Sequence, residues 1–199
     1  TILGELAEKE LDSSNDFILL TKEYFCFEND FGWNTLMNAF YVFEDTELVK
    51  REFEEFGIRK TNDHRSLGEY YLRLYGILNA FYQQSSATVN LMELFKLPSK
   101  KNLVENLKNS GCIQLRNKIA AHPSNYISDS DSRSFDVYEI SRPDLKQGRI
   151  RLLKNQEDFE SYHLNEIIED FNRIVQDILS EVLKKFLKKK FQNQGKYFK

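Results

Sequence analysis

The chain has 199 residues, 41% of them hydrophobic and 30% charged, and carries a formal net charge of −3. That length supports one domain with a sizeable core, and the balance is too apolar for a disordered chain. No apolar run reaches the ~18 residues of a membrane helix, and the N-terminus lacks the basic-then-apolar pattern of a secretory leader.

Only 3 Pro and 8 Gly punctuate the sequence, which favours long helices over a turn-dense β sandwich. Sixteen Phe and ten Tyr predict a core built largely from ring packing. The two cysteines, Cys26 and Cys112, form no CxxC pair, so a reduced, cytoplasmic setting is expected. Charge is uneven along the chain. Seven of the 28 basic residues fall between Val182 and Lys199, where there is no acid, leaving 21 basic against 31 acidic elsewhere. A lysine-rich helix end complements the negative C-terminus of the macrodipole, and it also attracts phosphates.

In chain order, residues 2–29 read as helical with a break at "DSSND" (12–16). "FGWN" (31–34) interrupts, and 34–57 resumes helical periodicity with a second break near Asp45 and an end at Gly57. Residues 1–60 are therefore expected to form an N-terminal helical extension. The clearest helix spans 65–96, with Leu67, Tyr71, Leu74, Leu78, Phe81, Ser85, Val89, Met92 and Phe95 at three-and-four spacing. Pro98 closes it and Ser99 is placed to cap the next helix, 102–122, which carries Gly111 as a candidate bend. Polar, turn-rich residues 123–134 predict a loop. "FDVYEI" (135–140) and "RIRLL" (149–153) alternate as strands, giving a two-stranded hairpin insert over 135–153. A final long helix over 162–190 repeats Ile167, Ile168, Phe171, Ile174, Val175, Ile178 and Val182, and a basic tail follows over 184–199. The prediction is a single all-α domain over 1–199: an antiparallel up-down helical bundle with a small two-stranded β-hairpin before the last long helix.

Within 102–122 the stretch "QLRNKIAAHPSNY" (114–126) is chemically distinctive. On an α-helix Leu115, Ile119 and His122 share one stripe, Arg116 lies beside it, and Ala120 stacks one turn after Arg116. Arg116 and His122 would be roughly 9 Å apart along the axis. Metal-free RNA cleavage needs a base for the 2′-OH proton, which neutral imidazole supplies near pH 7. It also needs a fixed cation against charge building on the phosphoryl oxygens, which suits Arg. One His supplies base or acid, so a two-fold dimer would supply both. By contrast His64, His122 and His163 are too dispersed for a metal site, and no glycine loop for nucleotide phosphates is present.

The pattern Arg116, Asn117 and, after four further residues, His122 resembles the motif of the HEPN superfamily, in which an Arg and a polar residue precede a His on a helix. The resemblance implies a HEPN-like bundle and a homodimer joined through the motif helix. It further implies metal-independent endoribonuclease action without a cofactor, often in toxin–antitoxin, abortive-infection or anti-phage systems, where an antitoxin protein is a possible partner. Arg116, Asn117 and His122 would be catalytic. The Tyr that one toxin branch carries two residues after the His is absent, since Ser124 stands there and the nearest is Tyr126. Lys118, Arg149, Arg151, Lys184 and Lys188 are the expected RNA contacts. The competing expectation is a non-catalytic helical RNA- or protein-binding module of the same fold.

Overall fold

The structure is a computed structural model that describes residues 14–58, 66–98, 100–121 and 136–191. His122, the Ser99 cap, the 123–134 loop and Tyr126 lie outside the described residues. The protein is mostly helical with a small antiparallel sheet. Its elements run α1 (Ser14–Phe25), α2 (Gly32–Phe56), α3 (Leu67–Leu94), α4 (Lys100–Asn109), α5 (Gly111–Arg116), a π-helical turn (Asn117–Ala121), β1 (Tyr138–Ile140), α6 (Arg142–Lys146), β2 (Ile150–Lys154), β3 (Asp158–Tyr162) and α7 (Leu164–Lys190). Among the described residues no helix is long and apolar enough to cross a membrane.

α3 is the central rod. Besides Leu74, Leu78, Phe81 and Met92 from the predicted stripe, it buries Tyr70, Ile77, Gln84, Thr88 and Leu91, because α2 covers one flank while α5 and α7 cover the other. Paired contacts fix the direction of each rod. Lys50 of α2 meets Gln84 while Gly57 meets Arg73, so α2 and α3 run antiparallel. Phe81 packs on Phe171 and Phe95 on Phe186, so α3 and α7 run in the same sense. Gly111 meets Ile167 at the opening of α7, while Leu103 shares a cleft with Phe186 near its end, so α4–α5 run against α7. These rods alternate up and down. Each fully buried side chain on the shared seam, such as Phe171 or Leu115, contributes about 1.5–3 kcal/mol.

Three expectations change. The break near Asp45 is absent and α2 is continuous from Gly32 to Phe56. Asp45 faces solvent, and the buried Thr46 hydroxyl donates back to the Val42 carbonyl at 2.7 Å, so neither residue competes with the helix. The "SRPDLKQG" loop holds a short helix, α6, started by Pro143. The two-stranded hairpin is a three-stranded sheet in the order β1-β2-β3. β3 ("DFESY") pairs Leu152 with Glu160 and Ile150 with Tyr162, and its largely exposed polar residues gave no apolar alternation by which to recognise it.

Candidate functional site around the motif helix

The helix predicted over 102–122 divides at Ser110, as Gly111 foretold, and α5 turns in against α7. A Cβ at Gly111 would lie 2.6 Å from Ile167 Cγ2, so only glycine lets the two rods come this close. One residue on, the buried Cys112 thiol donates to the Ile167 carbonyl at 3.2 Å. Burial pushes this thiol well above its ordinary value, leaving it a packing group and not a nucleophile. Leu115 and Ile119 are buried as the stripe predicted, while Arg116, Asn117 and Lys118 are half-buried at its edge.

From Asn117 to Ala121 the backbone is π-helical. Its hydrogen bonds run from i to i+5, so each residue turns less than in an α-helix. Arg116 turns toward α3, with its guanidinium carbon 4.0 Å from the Tyr82 ring centroid. Its Nη1 donates to Asn117 Oδ1 at 3.2 Å. The ring holds the guanidinium from one face and leaves its N–H edge for an anion. Tyr82 is exposed, and its ring partner is the motif arginine. An aromatic one helix away from an arginine has no marker in the sequence.

Lys118 departs from its expected role as an RNA contact. Its ammonium lies 2.6 Å from Glu160 Oε2 and 2.9 Å from the Tyr162 hydroxyl, and 4.7 Å from the Tyr138 ring. Only 13% of its side chain is exposed, so it fastens the π turn to the sheet. Glu160 also accepts from the Tyr138 and Tyr162 hydroxyls. Burial opposes the Glu160 charge, but hydrogen bonds from Lys118, Tyr162 and Tyr138 outweigh it and hold the carboxyl below its ordinary range. Burial pushes the Tyr138 phenol up to about 12 against the opposing charge of Lys118, with Glu160 and Asp136 adding to the rise.

The other expected RNA contacts lie elsewhere. Arg151 projects from β2 on the strand face opposite Ile150 and Leu152, with its guanidinium carbon 4.0 Å from the Phe159 ring centroid. Arg149 pairs with Asp144 at 3.4 Å and donates to Gln147. Lys184, paired with Glu181 at 2.7 Å, and Lys188 sit at the far end of α7. The fold therefore brings Arg116 and Asn117 together, adds Tyr82, and distributes the remaining cations over separate surfaces. Among the described residues no group of three or more His, Cys, Asp or Glu is placed to hold a metal ion. No protein-family model, no curated protein and no solved structure matches this chain.

Proposed function

We propose that the chain is a metal-independent endoribonuclease of the HEPN type, built on a HEPN-like bundle and working as a cytoplasmic homodimer in a toxin–antitoxin or anti-phage setting. The observation that carries the reading is the Arg116–Asn117 pair, supported by Tyr82, where α5 passes into a π turn that leads up to His122 in the sequence. π turns inside helices recur at functional sites. In this reading neutral His122 takes the 2′-OH proton. The freed oxygen attacks the adjacent phosphorus and the bond to the 5′ oxygen breaks, leaving a 2′,3′-cyclic phosphate. The partner subunit's His122 returns a proton to the departing oxygen. Arg116 faces the charge growing on the phosphoryl oxygens. Asn117 holds one guanidinium nitrogen and so fixes the angle of the other donors.

The test is cleavage of mixed single-stranded RNA in EDTA. The wild-type protein is expected to produce fragments ending in cyclic phosphate. His122→Ala is expected to lose about 10²–10⁴ in rate, and Arg116→Ala about 10²–10³. An inactive wild type, or a His122→Ala protein as active as wild type, removes the reading. A second reading is a non-catalytic RNA- or protein-binding module. It is favoured by the half-burial of Arg116 and its existing engagement with Tyr82 and Asn117. RNA binding without cleavage in the same assay selects it.

A further inference from the structure

Where α7 ends, it lies beside the turns that follow α1 and α3, and a cleft of about 820 Å³ opens between them. Its apolar floor includes Phe95, Leu97, Leu103 and Phe186. Its rim carries Lys96, Lys184, Lys185, Lys188 and Lys189 against two acids, Glu28 and Glu181. Those acids are already engaged, Glu28 by Lys96 and Glu181 by Lys184. Lys189 donates to the Cys26 carbonyl at 2.7 Å, at the end of α1. Lys185 and Lys188 remain; among the described residues neither meets a carboxylate within ion-pair distance. They stand one turn apart on an exposed face of α7.

Two backbone features mark the same place. Cys26 and Lys96 both adopt left-handed conformations, with φ of 56° and 51°, at the ends of α1 and α3. Each is followed by a residue whose N–H returns to the preceding helix, Phe27 to Lys22 and Leu97 to Met92. Glycine is the ordinary occupant of such helix-ending positions. At Lys96 a long cationic side chain stands there instead, on the rim of the cleft, and strain of this kind clusters at binding sites.

We propose that this cleft is a docking site for the phosphate backbone of single-stranded RNA, with Lys185 and Lys188 as its principal phosphate contacts and the Phe95–Phe186 floor receiving a base or ribose. Such a combination of a cationic groove with aromatic rings suits single strands. The cleft lies about 20 Å along α3 from Tyr82, where Arg116 rests. As substrate docking this rests on the nuclease reading; as RNA binding it does not.

Fluorescence anisotropy with a labelled, mixed-sequence 2′-O-methyl RNA, which this chemistry cannot cleave, reads binding apart from catalysis. Lys185→Glu/Lys188→Glu is compared with a charge-matched double variant on other exposed surfaces, Arg51→Glu/Lys108→Glu. The cleft variant is expected to weaken binding about tenfold or more at low salt and to reduce the slope of log Kd against log salt by about 1.4, the loss of two phosphate contacts on a single strand. The control pair is expected to leave that slope unchanged, and both variants to keep the wild-type melting midpoint. No binding by the wild type, no change in the cleft variant, or equal loss in both pairs overturns the proposal. Binding that behaves as expected, beside a wild type that cleaves no natural RNA, keeps the docking site and rejects the nuclease.

Discussion

Arg116 gains its orientation from a residue in another helix. A guanidinium over an exposed tyrosine ring is worth about 0.5–1 kcal/mol, and the ring face, not the hydroxyl, supplies it. Tyr82→Phe is therefore expected to match wild type in urea unfolding, and Tyr82→Leu to lose about 0.5–1 kcal/mol. If the nuclease reading holds, cleavage by Tyr82→Leu falls with unchanged His122 chemistry, and so with an unchanged pH profile. A Tyr82→Phe protein as unstable as Tyr82→Leu would show that the hydroxyl matters and the ring does not. The Arg116–Asn117 adjacency was legible in the sequence. Tyr82 as their neighbour was not, because that contact depends on the way α3 and α5 cross.

At the scale of the element, the π turn is secured by the sheet. Lys118 reaches from Asn117–Ala121 to Glu160 on β3, and the two tyrosines close the group. Glu160 is held below its ordinary range in the folded protein. Its contribution is therefore complete above the ordinary glutamate value of about 4.3 and fades as pH falls through the lower folded value. Urea unfolding of wild type is expected to lose stability progressively below about pH 4.3. Glu160→Gln, already without the charge, is expected to be less stable at neutral pH and to lose a smaller increment over that acid range. Equal acid sensitivity in both proteins would remove Glu160 from the account. β3 escaped recognition because pairing through backbone hydrogen bonds places no demand on exposed side chains. The π turn escaped because i+5 bonding leaves no periodicity distinct from a short helical run.

For the whole molecule, the basic end of α7 has two uses. Lys189 and Lys190 donate to the Cys26 and Tyr24 carbonyls, and Lys190 lies 3.7 Å from the Tyr24 ring centroid. They answer the orphan carbonyls and the negative dipole end of α1. Lys189→Ala/Lys190→Ala is expected to cost about 0.3–1 kcal/mol per residue, seen as faster amide exchange through α1 with the exchange of α3 unchanged. Uniform exchange changes across both helices, or none, would contradict that placement. Lys185 and Lys188, on the same short run, face the cleft. The lysine-rich tail was visible as a charge asymmetry, but the division between helix-capping and outward-facing lysines follows from where α1 ends.

The order of the long helices, the extents of α3 and α7 with much of their buried stripes, the bend at Gly111 and the Arg116–Asn117 pair were all determined by the sequence itself, whereas the continuity of α2 through Asp45 was not. Each rests on periodicity or residue type over a local span, where backbone geometry leaves few choices. Tertiary structure alone decided that Lys118 binds Glu160, that Tyr82 supports Arg116, that Lys50 is buried against Gln84, and that one cleft unites three elements remote in sequence. These follow from which rods meet and at what height, and burial or pairing of a charged side chain is a property of its neighbours.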